Sequence, residues 1–217
     1  METKIQFQKN ANVIAANGQP LGQIDRVVLN PETKVITDIV VKKGSLFNKE
    51  DKVVPVGLVA ETTEDQILLR NEAGELNAFP VFEERRIVPG KEDIDKTLSS
   101  ENAPQMVNYG FPEVSPAYVQ PSGKQFVTQI EQNIPEGTVA MKEGAKVITS
   151  EGKHVGYVER VLADSSVDQV THLLVSTGRF TKDAKLIPID WVMVMGEDEI
   201  HLRVNKDSVE ELADVSS

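Results

Sequence analysis

The side chains best suited to metal ligation or proton transfer are three histidines, His154, His172 and His201. Their separations of eighteen and twenty-nine residues do not match the short spacings that set two imidazoles side by side on one element. Two acid–arginine dipeptides, Asp25-Arg26 and Glu159-Arg160, would offer paired carboxylates for acid–base work only if they converged in one cleft. Gly18 and Gly22, four apart, lack the Lys-Ser/Thr step and the helix start that hold a phosphate. No Gly-x-Ser-x-Gly elbow raises a serine nucleophile. The absence of cysteine removes the thiolate nucleophile, the thiolate metal site and the disulfide framework together. No residue set argues for catalysis, so the chain reads as a non-enzyme with no metal and no cofactor.

What must position these residues is a unit that the chain writes twice. Residues 11–70 and 145–203 align with a shift of 134, falling to 133 after one deletion, and eighteen of fifty-seven compared positions are identical. Gly18 and Gly22 match Gly152 and Gly156, Arg26-Val27 matches Arg160-Val161, and Pro55 matches Pro188. The three histidines fall on Pro20, Asp38 and Leu68 in the first copy, so the shared fold does not require imidazole. A duplicated small domain is the organising fact, and packing of the copies about a pseudo-twofold axis would make a concatenated homodimer.

Each copy reads as all-β. Asn12–Ala15 is a short strand ending at Asn17-Gly18, a hairpin signal that asks for positive φ. Leu21–Leu29 follows and stops at Asn30-Pro31-Glu32-Thr33, a turn with proline in place. Lys34–Lys42 comes next, with Val35, Thr37, Ile39 and Val41 alternating onto one face, as Thr171, Leu173 and Val175 do later. Lys52–Val56 and Asp65–Leu69 complete the unit around a bend at Gly57–Thr63. Six or so short strands with regular turns point to a small barrel. Counting by two from Ile24 places Arg26 inside, and likewise Arg160 after Val158. An unpartnered buried arginine is costly, so a β-bulge that turns the guanidinium outward is expected here; a regular strand would instead demand a buried acidic partner.

The reading divides the chain into a first domain at 1–85, a Pro-rich connector at 86–137, a second domain at 138–205 and an acidic tail at 206–217, with Asp207 or Ser208 as an N-cap. Six of the eleven prolines lie in 86–137, together with Tyr109, Phe111, Tyr118 and Phe126. The rings suit packing against the barrels or recognition of a partner. The net charge of −11 is unevenly spread: residues 11–70 carry −1 and 145–204 carry −2, whereas 71–144 carry −6. Near-neutral repeats lack the basic stripe of a nucleic-acid surface, and no direct nucleic-acid binding is expected. The first ten residues have no apolar core of a signal peptide, and no stretch approaches a membrane span. A cytoplasmic protein is expected, with peripheral association at the inner membrane as the alternative.

The ordered set Asn17-Gly18-Gln19-Pro20-Leu21-Gly22-Gln23-Ile24 with Val53-Val54-Pro55-Val56, found again at Glu151-Gly152-Lys153-His154-Val155-Gly156-Tyr157-Val158 with Leu186-Ile187-Pro188-Ile189, resembles the PRC-barrel family. The resemblance covers both repeats. It implies two small PRC-barrel-like β-barrels in tandem, each an interaction module of the kind found in the photosynthetic reaction-centre H subunit and the ribosome maturation factor RimM. The leading expectation is therefore a non-enzymatic adaptor. Its rivals are a RimM-like ribosome-maturation factor and a soluble accessory of a photosynthetic or membrane electron-transfer complex. Candidate interface residues are the loop tips Leu46, Phe47 and Phe180, apolar in polar loops, and Trp191, the sole tryptophan, where the first copy has Leu58. The partner protein is not identified by the sequence, and either a monomeric pseudo-dimer or a homo-oligomer fits.

Overall fold

The computed structural model describes residues 4–8, 10–43, 50–63, 65–71, 76–89, 126–176 and 183–216. The first half contains β1 (Lys4–Gln8), β2 (Asn12–Ile14), β3 (Pro20–Leu29), β4 (Ile36–Lys43), β5 (Glu50–Pro55), β6 (Val59–Thr62) and β7 (Gln66–Leu69). After β8 (Glu83–Pro89) and β9 (Phe126–Gln132), which pair with each other, come β10 (Val139–Lys142), β11 (Lys146–Ile148), β12 (His154–Asp164), β13 (Gln169–Ser176), β14 (Asp183–Pro188), β15 (Val192–Met195) and β16 (Glu199–Leu202). A short helix, α1 (Lys206–Glu210), and β17 (Asp214–Ser216) follow. Residues 1–84 and 132–217 form one compact unit, and 85–131 a second.

The two copies share one strand order. It runs β5-β4-β3-β2-β7-β6 in the first sheet and β14-β13-β12-β11-β16-β15 in the second. In each, the first and last strands of the hairpin series meet in parallel, Val13 opposite Ile67 and Val147 opposite Ile200. The expected hairpin glycines are in place: Gly18 has φ +84° and Gly152 +76°. Gly22 and Gly156 answer a different need. A Cβ on Gly22 would stand 2.4 Å from the Lys42 carbonyl oxygen, and one on Gly156 would stand 2.1 Å from that of Ser176, so only hydrogen lets the strands close there.

Two details differ from the simple alternation. The register between β3 and β4 jumps from Val28–Asp38 to Leu29–Ile36, leaving Thr37 as the extra residue of a bulge. Ile36 therefore enters the core in place of Thr37, whose hydroxyl donates to the Val28 carbonyl oxygen. The second copy repeats this with Thr171, and Val170 is buried. The bend expected at Gly57–Thr63 holds a 3₁₀ turn (Val56–Leu58) and then β6.

The strand that sequence comparison missed ties the copies together. β1 pairs antiparallel with β12 of the second copy, Phe7 opposite Val161, and β10 pairs antiparallel with β3 of the first, Met141 opposite Val27. Phe7 and Met141 are related by the repeat shift, as are Val161 and Val27, so the exchange is reciprocal. The sheets thus cross the boundaries read at 1–85 and 138–205. A second link lies at the pseudo-twofold: Val35 bridges Gln169, the Ile36 amide donates to the Asp168 carbonyl at 2.8 Å, and the Val170 amide donates to the Lys34 carbonyl at 2.9 Å. Lys34 and Asp168 both take positive φ, 63° and 52°. One apolar core runs through both sheets, from Phe7 and Ile39 to Leu173 and Ile200.

Each copy ends by plugging its barrel-like sheet. Leu76, on a 3₁₀ turn at Leu76–Ala78, and Val209, on α1, are buried at equivalent positions. The cap of α1 is Asn205, whose side chain accepts from the Ser208 amide at 3.0 Å, rather than Asp207 or Ser208, because Asn205 is the residue still extended before the helix. The tail does not stop there. β17 pairs with β14, and buried Lys185 donates to the carbonyls of Glu210 and Leu212 and lies 2.8 Å from Asp214. Its counterpart Lys52 is buried too and bridges Val81 on the same edge.

Because β1 is short and its burial rests on Phe7, Phe7→Ala should cost about 3–5 kcal/mol of unfolding free energy. Chemical denaturation read by Trp191 fluorescence checks this. The transition should remain single, since Trp191 sits in the second copy yet rests on the shared core.

Candidate interaction surface

Arg26 is set by the expected bulge. The β3–β4 register runs from Ile24–Val41 to Arg26–Val40, so Asp25 is the extra residue, and Glu159 is its equivalent in β12. The guanidinium, however, does not turn out to solvent. Arg26 is 8% exposed because the exchanged β10 lies alongside β3 and covers it. Its Nη1 donates to Glu197 Oε2 at 2.9 Å and to the Ala140 carbonyl at 3.4 Å, its Nε is 3.5 Å from Asp25, and the guanidinium sits 4.9 Å from the Phe82 ring centre. Glu197 also accepts from Gln132 at 2.8 Å. Arg160 plays the matching part on the other exchanged strand, donating to Gln6 at 3.1 Å and Gln8 at 2.7 Å of β1. The acid–arginine dipeptides thus fasten strands; they do not converge as a carboxylate pair.

Two carboxyls on this outer face are held above the usual carboxylate range. Asp38 is raised by burial, opposed by a hydrogen bond from Thr37, and its Oδ2 is buried without a hydrogen bond. Asp51 is raised by burial and by the charge of Asp25, with Lys42 and Arg26 acting the other way. The histidines stay apart: His154 is exposed with its ring edge on Tyr157, His201 is 3.8 Å from Glu199, and His172 lies opposite Pro188 in β13. Among the described residues no group of three His, Asp or Glu side chains could hold a metal, and no helix is long and apolar enough to cross a membrane.

Trp191 ends a 3₁₀ turn (Ile189–Trp191) and lies half-buried against the shared core. The strand it leads into, β15, ends the second sheet. Met193 and Val194 on it are 59% and 51% exposed. At the same places in β6 stand Ala60 and Glu61, and Thr62 accepts from the Gln6 amide at 3.0 Å. The first edge is therefore blunted by a small residue, a charge and a cross-link, as sheet edges usually are, and the second is left apolar. Sequence comparison could have found this contrast by reading the copies for their differences. Leu46, Phe47 and Phe180 lie outside the described residues, as do Tyr109, Phe111 and Tyr118.

The arrangement is that of two tandem β-barrel-like domains joined through exchanged strands over one core. Residues 9–76 and 143–209, more than half of the chain, match the family model of the PRC-barrel domain, and the chain belongs to that family. Each matched segment begins just past an exchanged strand and runs to the plugging residue, Leu76 or Val209. No curated protein matches the chain in sequence. The domain's presence twice suggests a protein-interaction module.

If Arg26 fastens β10 through Glu197, Arg26→Met should destabilise by roughly 1.5–3 kcal/mol, the range for hydrogen bonds to charged groups. Glu197→Gln should cost less, because more than a third of that side chain is exposed. A double-mutant cycle should give a coupling of at least about 0.5 kcal/mol; additivity would show that the pair contributes nothing to the exchange.

Asp38→Asn gives a pH test. A carboxyl raised in the folded state favours protonation there, so its stability contribution is full below the unfolded pKa and is lost as pH rises through the folded value. The substitution should therefore raise the melting temperature at neutral pH by a few degrees, about 1 kcal/mol. The gain should shrink as the solution is acidified through the carboxylate range.

Proposed function

We propose that the chain is a non-enzymatic adaptor that binds protein partners through surfaces carried on its paired PRC-barrel modules. The observation that carries this reading is the fate of the chemistry-bearing residues. The duplicated arginines and acids are spent on strand exchange, while the second copy keeps an apolar edge beside Trp191 that the fold does not need. Apolar residues exposed together mark interaction sites more often than solvent surface, and aromatic anchors dominate interface energetics. The acidity of the chain, with a sequence pI near 4.8, favours partners of basic character. A cytoplasmic setting suits the cysteine-free composition, and peripheral attachment to a membrane complex would require a partner that supplies it.

The test is affinity capture from the native host with mass spectrometry, comparing wild type, Phe47→Ala/Phe180→Ala and Met193→Lys/Val194→Lys. One reproducible partner, lost in one of the variants, supports the adaptor and locates its surface. Ribosomal proteins in that set, with salt-sensitive co-sedimentation with ribosomal subunits, would turn the reading to a RimM-like maturation factor. Subunits of an electron-transfer complex would turn it to the accessory role. No partner with any bait would overturn the adaptor.

A further inference from the structure

A cleft of about 390 Å³ opens where the two copies meet, and both of them line it. That volume falls within the range of small-molecule sites. The first copy contributes the 3₁₀ turn at Val56–Leu58, β6 and Arg70 just past β7; the second contributes Ser165 and Asp168, in the turn between β12 and β13. Ile5 of the exchanged strand β1 completes the lining. Backbone bonds hold these walls in place. The Asp168 carbonyl accepts from the Ile36 amide at 2.8 Å, the Arg70 amide donates to the Leu58 carbonyl at 2.8 Å, and the Thr62 hydroxyl accepts from the Gln6 amide at 3.0 Å.

The cleft carries both signs of charge, Arg70 from one copy, Asp168 from the other, with Glu61 exposed on β6. Burial holds the Asp168 carboxyl above the usual carboxylate range, and the Arg70 guanidinium pulls it back, so the two charges lie within reach of each other. Among the described residues, however, no ion pair joins them, and Glu61 makes none. The duplication shows which parts of this lining the fold needs. By the repeat alignment Ile5, Val56 and Val59 fall on Val139, Ile189 and Val192, so an apolar floor is kept at both junctions. The polar groups are not kept: Asp168, Ser165, Glu61 and Thr62 fall on Lys34, Pro31, Val194 and Met195. Arg70 alone among them meets its like, in Arg203. At that twin position two cations approach each other, since the Arg203 charge adds to burial in lowering Lys34, with Asp190 opposing. The facing of a cation and an acid over an apolar floor is thus particular to one junction and is not a requirement of the barrel.

From this arrangement we propose that the junction cleft binds a small α-amino acid with an apolar side chain. Arg70 takes the carboxylate, which suits the guanidinium fork, and Asp168 with Glu61 accepts from the ammonium. The Thr62 hydroxyl, already accepting from Gln6, keeps its own O–H to donate to the carboxylate. The side chain rests on Ile5 and Ala60. A simple anion would meet two carboxylates here and a simple cation would meet Arg70; a zwitterion answers both signs at once. This goes beyond the adaptor reading and does not depend on it.

The experiment is a calorimetric and thermal-shift titration of the full chain with glycine, L-valine, L-leucine and L-phenylalanine. Two leucine analogues accompany them, each lacking one charge: isocaproate, without the ammonium, and isoamylamine, without the carboxylate. Saturable binding with a rise in melting temperature is expected for valine or leucine, weaker for glycine, and for neither analogue. Arg70→Gln and Asp168→Asn should each weaken leucine binding by roughly tenfold or more, the loss of one charge-assisted contact. Asparagine tolerates the left-handed backbone that Asp168 adopts at φ 52°, so the second variant keeps the turn. Each variant should also lose one discrimination, Arg70→Gln that between leucine and isoamylamine, Asp168→Asn that between leucine and isocaproate; a merely structural role would move neither. Arg203→Gln, at the twin position, should leave binding unchanged. Absence of saturable binding with every amino acid overturns the proposal. So does an analogue that binds the wild type as tightly as leucine, or an equal loss in Arg203→Gln.

Discussion

Reciprocal strand exchange is the constraint on which the rest of the molecule depends. A domain of about eighty residues buries too little surface to be comfortably stable alone. Here each copy lends its first strand to the other, so Phe7 and Met141 complete cores that their own copies do not contain. Once β1 and β10 are added, each β3-type strand has a neighbour on both sides over its second half, Arg26–Leu29 and Arg160–Asp164, and the arginine at its bulge becomes a buried residue that must be answered. Arg26 finds Glu197 and Phe82; Arg160 finds Gln6 and Gln8. The pairings differ in chemistry but do the same work. A charged pair was available where the partner strand comes with an acidic turn, and neutral amides serve where the covering strand itself carries glutamines.

The repeated unit was legible in the sequence because its elements rest on local chemistry. Hairpin glycines, a proline in the right turn position and period-two alternation are all short-range signals, and they place β2 through β5 and β7 closely. The bulges at Thr37 and Thr171 were not legible, since a single extra residue leaves the composition of a strand unchanged while reversing which side of it is buried. The exchanged strands were invisible for another reason. Lys4–Gln8 and Val139–Lys142 share no identical residue at the repeat shift. What relates them is a buried apolar residue, Phe7 or Met141, whose requirement is met by many side chains. The bulge at Arg26 was foreseen and its outward guanidinium was not, because the strand covering it comes from more than a hundred residues away.

Candidate site residues were less legible, and the physical reason is that interaction surfaces carry no fixed spacing. Trp191 stood out by type alone. Its meaning comes from β15, where Met193 and Val194 replace Ala60 and Glu61 at the edge of an otherwise matching sheet. Lys52 and Lys185 look like ordinary charged residues in the sequence, yet both are buried, Lys185 between two strands with its ammonium on the carbonyls of Glu210, the last residue of α1, and of Leu212 just beyond it. A cation at a helix C-terminus suits the dipole and satisfies carbonyls that the helix leaves open.

A duplication also separates what folding needs from what it does not. Where the copies agree, as at Gly22 and Gly156 or Arg26 and Arg160, the structure shows a backbone or a strand that could not close otherwise. Where they disagree without a structural penalty, the residue is free of the fold and open to another use. The apolar edge of β15 arises that way, since Met193 and Val194 stand where the first copy has Ala60 and Glu61. Had it been a requirement of the barrel, its twin would carry it too. The first copy blunts its edge with Glu61, and the second leaves its edge bare. Two related modules held in one frame by exchanged strands can diverge in this way at positions such as Met193 and Val194, which face solvent while Val192 and Met195 of the same strand stay in the shared core.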